Sequence, residues 1–134
     1  MKSAEDLRAF AERYTAAWCS QDPASVAAFF SPAGSLAING GAPAAGRAAI
    51  IGVAQSFMSS FPDLCVILDD VIQEREHTRY YWTLTGTNAG PGGNGSFVRI
   101  SGFESWQFGE DGLIAASEGS FDEAEYRRQL AGGV

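Results

Sequence analysis

The sequence predicts an α+β domain in which N-terminal helices cover one face of a curved, cone-shaped antiparallel β-sheet. Apolar residues recur at helical spacing up to about residue 61. From Leu64 onward, segments rich in β-branched and aromatic residues are separated by short polar breaks. The length of 134 residues and the hydrophobic content of 46% suit a single domain, residues 1–134, with one core.

The N-terminal half contains three predicted helices. Ser3 is typical of an N-cap, and the residues after it form an apolar helical stripe. Asp22 and Pro23 mark the start of a short second helix, because aspartate caps a helix and proline suits its first position. The third helix follows the loop 40–46 and is expected to end at about Phe61.

A short segment separates the second and third helices. Phe29 and Phe30 continue the apolar side of the second helix, so we expect them to face inward from it. The stretch "SLAIN", residues 35–39, is expected to form a brief strand.

The C-terminal half contains four predicted strands that form an antiparallel meander, followed by one helix. The break "GEDG", 109–112, is typical of a tight turn, and "AGPGGNG", 89–95, of a flexible loop. The strands are expected at 64–74, 78–88, 96–108 and 113–121, and the helix at 122–130.

One acidic residue falls on the apolar face of a predicted strand. Alternation along 96–108 places Glu104 on the same face as Trp106. A buried ionised carboxylate is costly unless it is paired or neutralised. Three interpretations stay open: a neutral acid in a cavity, a bulge at Gly102 that turns the side chain outward, or an ion pair with Arg99 or Arg79.

Composition excludes several function classes. A net charge of −7 with nine Lys and Arg argues against nucleic acids and anionic membranes as partners. No apolar stretch approaches the roughly 20 residues of a membrane span, and the N-terminus lacks a signal-peptide core, so we expect a cytoplasmic protein. Cys19 and Cys65 show neither a metal-ligand spacing nor a disulfide framework, and the lone His77 lies in a predicted turn. No metal site is predicted.

Four stretches resemble the SnoaL-like branch of the nuclear transport factor 2-like superfamily: "RYTAAWCSQDPASVAAFFSP", "GRAAI", "WTLTGTNAG" and "ISGFESWQFGEDGLI". The resemblance spans nearly the whole chain and implies a cystatin-like cone with an internal cavity and no cofactor. The superfamily includes ketosteroid isomerases, polyketide cyclases, dehydratases, epoxide hydrolases and non-catalytic modules. Fold does not choose among these activities.

The resemblance can be carried over to single residues. "RYTAAWCSQD" is similar to the isomerase segment that bears the oxyanion-hole tyrosine, which implies that role for Tyr14. Glu104 stands where the isomerase has its second donor, a protonated aspartate. The isomerase base would fall at Ile38, next to Asn39, and a cyclase-type catalytic aspartate at Gly119. None of these three side chains accepts a proton at neutral pH, so a base is missing unless the register shifts.

The resemblance therefore implies a pocket for a hydrophobic small molecule, a cyclic or polyketide-like carbonyl compound. Tyr14 and Glu104 would be the hydrogen-bond donors of a cofactor-free isomerase, cyclase, lyase or hydrolase. The alternative is a non-catalytic ligand-binding or dimerisation module, and a homodimer is expected through the outer sheet face. Asn88 is also interpreted as a turn residue. The expected pocket residues are Trp18, Ile38, Asn39, Phe57, Phe61, Trp82, Asn88, Trp106, Ser117 and Gly119.

Overall fold

The computed structural model describes residues 2–132 and confirms the α+β class. This range contains four helices and six strands. The strands form one curved sheet, and helices pack against it. The helices are α1 (Ala4–Trp18), α2 (Pro23–Ala27), α3 (Arg47–Ser60) and α4 (Glu123–Leu130). The strands are β1 (Phe30–Ile38), β2 (Ala44–Ala45), β3 (Cys65–Gln73), β4 (Thr78–Thr87), β5 (Phe97–Phe108) and β6 (Ile114–Phe121).

The predicted helix starts agree with the observed caps. The Ser3 side chain accepts a hydrogen bond from the Asp6 N–H at 3.1 Å, and the Asp22 side chain accepts one from the Ala24 N–H at 3.2 Å. Each cap satisfies a backbone donor that has no partner inside the helix.

The sheet order is β2-β1-β6-β5-β4-β3. Strands β3 to β6 are antiparallel neighbours, as the meander predicted. The first strand differs from expectation, because β1 pairs with β6 in parallel and β2 adds to its other edge. The fold is therefore a mixed sheet in which only one pair of strands is parallel.

The expectation that Phe29 and Phe30 belong to the second helix is wrong. That helix ends at Ala27, and Phe30 is the first residue of a strand longer than the one predicted at 35–39. Bonds to two other elements compete with the helix here. The Phe29 carbonyl accepts from the Ile114 N–H of β6 at 2.9 Å, and the Phe30 carbonyl accepts from Arg47 Nε of α3 at 2.9 Å. A proline two residues after Phe30 also disfavours helix continuation.

Aromatic rings join α1 to the centre of the sheet. Phe10 and Tyr14 of α1 meet Trp106 of β5 edge to face, with ring centroids 5.6 Å and 5.2 Å apart. Tyr80 of β4 stacks on Trp106 at 4.8 Å and also meets Tyr14, with ring centroids 5.4 Å apart. All four side chains are buried. This cluster fills one end of the space under the helices and leaves a cavity beside it.

Candidate functional site

An apolar cavity of about 60 Å³ lies between the helices and the inner face of the sheet. One water molecule needs on the order of 10–15 Å³ of such space, so the cavity is large enough for a compact organic molecule. Five of the expected pocket residues line it, together with the predicted donor Glu104: Trp18, Ile38, Phe57, Trp82 and Gly119. Seven further residues complete the wall: Leu36, Val66, Tyr80, Leu84, Ile100, Phe121 and Tyr126.

Glu104 is the carboxylic acid in this wall, and its side chain is buried with 7% of the residue exposed. Its Oε1 accepts hydrogen bonds from Tyr14 Oη at 3.0 Å, Trp106 Nε1 at 3.0 Å and Ser117 Oγ at 2.8 Å. Its Oε2 receives only the longer contact from Tyr14 Oη, at 3.2 Å. Because a carboxylate oxygen has two lone pairs, Oε2 keeps acceptor capacity for a ligand.

The structure excludes the two alternative placements of Glu104. Gly102 pairs with Trp82 on one side and Phe121 on the other without a register shift, so no bulge turns the strand there. Arg99 is exposed. Arg79 lies on the other face, where its guanidinium sits 4.5 Å from the Phe103 ring centroid and pairs with Glu74 at 3.3 Å. Glu104 is thus held by neutral donors.

Two opposing effects act on the pKa of Glu104. Burial, the larger effect, raises the pKa because the apolar surroundings penalise the charged form. The hydrogen bonds from Trp106, Ser117 and Tyr14 lower it, because they favour the carboxylate. The result is a pKa above the ordinary value of 4.5. The carboxyl group therefore gains and loses its proton at a pH nearer to neutral.

Tyr14 supports Glu104 instead of facing a ligand. Its side chain is fully buried and does not line the cavity, and its hydroxyl donates to Glu104. Burial and the nearby Glu104 charge raise the pKa of Tyr14 well above its usual value, so the hydroxyl stays protonated and keeps donating. The Trp18 indole N–H lies close enough to lower the pKa of Tyr14, although its geometry falls short of a hydrogen bond.

Three further expected pocket residues do not line the cavity. Phe61 is fully buried and packs on Gly86, where an added Cβ would lie 2.9 Å from Phe61 Cβ. Asn39 has a positive φ of 51° at the end of β1, which turns it back so that its Oδ1 accepts from the Phe121 N–H at 2.9 Å. Asn88 follows β4, where its N–H donates to the Ser96 carbonyl at 2.8 Å within the loop.

Trp106 and Ser117 also do not line the cavity, since both side chains are almost fully buried behind Glu104 as its donors. Tyr126 was missed at the pocket because α4 is short and mostly polar and shows little apolar periodicity. Phe121, the last residue of β6, was also missed. Phe121 shares strand parity with Gly119, which was the available signal.

The expected base positions lie beside Glu104 and carry no acid. Ile38 and Gly119 pair across β1 and β6, and Gly119 also pairs with Glu104 across β5 and β6. Glu118 pairs with Ser105 and is exposed, so the register does not bring its carboxylate into the cavity. Glu104 is therefore the carboxyl group that a ligand in this cavity can meet.

A buried acid with a raised pKa makes stability depend on pH. In the folded state Glu104 binds its proton at a higher pH than in the unfolded chain, so unfolding free energy falls as pH rises from about 4.5 through the folded pKa. We expect the natural protein to lose about 1.4 kcal/mol per pH unit in that window relative to Glu104→Gln. Urea unfolding of both proteins from pH 4 to 8 checks this; parallel curves would contradict it.

Within residues 2–132 there is no group of three or more His, Cys, Asp or Glu side chains that could hold a metal ion. No helix in the same range has the length and apolar character that a membrane crossing requires.

Comparison with known proteins places the chain in a family. The model of the SnoaL-like domain matches residues 11–117. TsrD of Streptomyces laurentii is 20% identical, with a TM-score of 0.81 over 97% of this chain and 98% of that chain. A hypothetical protein with a ketosteroid isomerase-like fold from Catenulispora acidiphila, solved in complex with trimethylamine, is 15% identical. Its TM-score is 0.79 over 91% of this chain and 92% of that chain.

A third similar structure is that of SalBIII, an epoxide hydrolase/cyclase-like enzyme of pyran ring formation in the polyether salinomycin. It is 14% identical, with a TM-score of 0.79 over 93% of this chain and 97% of that chain. These identities establish a shared fold and no more. No curated protein matches the chain in sequence. Since the family model covers most of the chain, the protein belongs to the SnoaL-like family.

Proposed function

We propose that the protein binds a small cyclic carbonyl compound and moves a proton on it with Glu104, as a cofactor-free isomerase or lyase. The observation that carries this proposal is the buried Glu104 carboxyl in an otherwise apolar cavity wall, with three donors on Oε1 and spare capacity on Oε2. An acid with a raised pKa in an apolar pocket is a common arrangement for general acid–base chemistry.

The proposed step is proton removal next to a carbonyl. Oε2 of ionised Glu104 takes a proton from the carbon beside the carbonyl, and the electron pair of that C–H bond moves to give an enolate. Return of the proton to another carbon completes an isomerisation, whereas loss of a leaving group from the neighbouring carbon completes an elimination. Tyr14, Trp106 and Ser117 act as positioning residues, because their hydrogen bonds end on the carboxyl group.

An enolate oxygen also needs a donor, and Tyr126 is the proposed one. Two tyrosines line the cavity. The Thr15 hydroxyl donates to the Ala11 carbonyl, so Tyr80 donates its own proton to Thr15. The Tyr126 hydroxyl has no hydrogen-bond partner among residues 2–132, and burial raises its pKa, which keeps its proton in place for a ligand oxygen.

The volume of the cavity limits the size of the ligand. A space of about 60 Å³ suits one small ring better than several fused rings. Proton exchange on cyclopentanone, followed by ¹H NMR in D₂O, therefore tests the proposal. Signal loss at the carbons beside the carbonyl should be faster with the protein than in buffer, and equal rates would refute the catalytic proposal.

Gly119→Ala is expected to weaken cyclopentanone binding at least tenfold while the fold stays intact. An added Cβ would lie 3.8 Å from Glu104 Cγ and 4.0 Å from Ile38 Cγ1, which is ordinary van der Waals contact, so the methyl group takes ligand space without a clash. The control is Gly52→Ala, where an added Cβ meets nothing within 4 Å. NMR titration measures both affinities; unchanged binding in Gly119→Ala would place the ligand elsewhere.

The second candidate is a non-catalytic binding module, which the absence of an acid at Ile38 and Gly119 favours. In this case the aromatic walls and an ionised Glu104 would hold a compact alkylammonium ion, as the trimethylamine complex of the similar Catenulispora acidiphila structure suggests. Calorimetry with trimethylammonium chloride separates the two candidates, because a binding module shows affinity for the cation without exchange of cyclopentanone protons.

We further propose a homodimer formed through the outer sheet face. A groove of about 610 Å³ crosses this face, and Arg79, Phe103 and Gln107 are among the residues that line it. Sedimentation velocity should show a dimer at micromolar concentration and a monomer for Phe103→Asp. A natural protein that sediments as a monomer at every concentration would refute this proposal.

A further inference from the structure

Two cysteines lie near each other at the edge of the sheet that β3 forms. Cys19 is the C-cap of α1, and Cys65 is the first residue of β3, the last strand in the sheet order. Cys19 Sγ accepts a hydrogen bond from the Val66 N–H at 3.2 Å and donates one to the Val66 carbonyl at 3.3 Å. The Cys19 thiol thus bonds to the edge of β3 as a neighbouring strand would. It does so at Val66, the residue that follows Cys65.

The two cysteines lie close together, because Cys19 Sγ contacts the backbone of Val66, the residue that follows Cys65. Both are free and both residues are exposed, so a small oxidant can reach them. Burial, the largest effect, raises the pKa of Cys19, and the hydrogen bond with the Val66 backbone opposes it. Because Cys19 Sγ is engaged in two hydrogen bonds with the Val66 backbone, we assign the first attack to Cys65. Their spacing in the sequence gave no sign of this contact.

We propose that Cys19 and Cys65 form an oxidation site, in which a hydroperoxide converts the pair into an intramolecular disulfide. The Cys65 thiolate attacks one peroxide oxygen, breaks the O–O bond and becomes a sulfenic acid, and the other oxygen leaves as water or an alcohol. The Cys19 thiolate then attacks the Cys65 sulfur, the S–S bond forms, and the sulfenic oxygen leaves as water. Two thiols are oxidised by two electrons, and one peroxide is reduced.

The position of this pair connects it to the cavity wall. Trp18 precedes Cys19, Val66 follows Cys65, and both neighbours line the cavity. A disulfide would tie the end of α1 to the start of β3 and restrict these two wall residues. The proposal is independent of the reaction in the cavity, since it rests on the thiol contacts alone.

Hydrogen peroxide treatment, followed by alkylation and intact-mass measurement, tests the proposal. We expect the natural monomer to lose two hydrogen atoms in mass and both alkylatable thiols, and dithiothreitol to restore them. Its thermal unfolding midpoint should rise by several degrees on oxidation, because the bond closes a long loop. Cys19→Ser and Cys65→Ser should each show neither change. Retention of both thiols, oxygen addition without cross-linking, or disulfides only between chains would each overturn the proposal.

Discussion

Glu104→Gln is expected to lower the cyclopentanone exchange rate by about 10²–10⁴-fold, the usual contribution of a positioned acid or base. The amide has nearly the shape of the carboxyl group, and its oxygen can still accept from Trp106 and Ser117, which donate to Oε1 in the natural protein. It cannot take up a proton at neutral pH. The substitution therefore removes the chemistry and keeps the packing, and ¹H NMR of the exchange reaction measures the loss.

Glu118→Gln is the matched control for this experiment. It makes the same chemical change on the exposed side of β6, outside the cavity, so its exchange rate should equal that of the natural protein. Tyr126→Phe should lower the rate at least tenfold if its hydroxyl stabilises the enolate oxygen. A Glu104→Gln variant that folds and keeps the natural rate would show that another group removes the proton.

Glu104→Leu is expected to destabilise the fold by about 3 kcal/mol or more, because it leaves several buried donors without an acceptor and each costs roughly 1–3 kcal/mol. Tyr14, Trp106 and Ser117 all direct their donors at this carboxyl group. Leucine removes the acceptor and adds little apolar contact in return. Urea unfolding of the natural protein, Glu104→Gln and Glu104→Leu measures the difference.

Glu104→Gln serves as the reference in that comparison, since its amide oxygen remains an acceptor. We expect it to lie within about 1 kcal/mol of the natural protein at about pH 4.5, before ionisation of Glu104 separates the two stabilities. If leucine and glutamine are equally stable at position 104, then the hydrogen bonds to Glu104 contribute little to folding. The three donors would then have to find other partners, such as water in the cavity.

The sequence was sufficient to predict the elements whose signals are local. Period-two alternation placed Glu104 on the inner face of β5, and the caps Ser3 and Asp22 predicted two helix starts. Pairing between distant segments gave no such signal. The parallel pairing of β1 with β6 joins strands that are far apart in the chain. Because of this pairing, Phe30 belongs to a strand and not to the predicted helix.

The sequence predicts which face of the sheet carries the candidate site, but it does not predict the hydrogen bonds within that site. The helical pattern placed Tyr14 toward the sheet, yet only the packed structure shows that its hydroxyl ends on Glu104 and not on a ligand. Asn39 and Asn88 bond to backbone groups at element ends, which competes with a role in the pocket. Tyr126 was missed because its short polar helix gives no apolar stripe.

Titration of Glu104 is the sharpest test of its role as the acid of the cavity. Carboxyl ¹³C NMR on glutamate-labelled protein, with the Glu104 signal identified by its loss in Glu104→Gln, gives the pKa with and without cyclopentanone. We predict a midpoint above the ordinary 4.5 that moves when cyclopentanone is added, because burial dominates and the ligand covers Oε2. A midpoint at the ordinary value that cyclopentanone leaves unchanged would contradict the account.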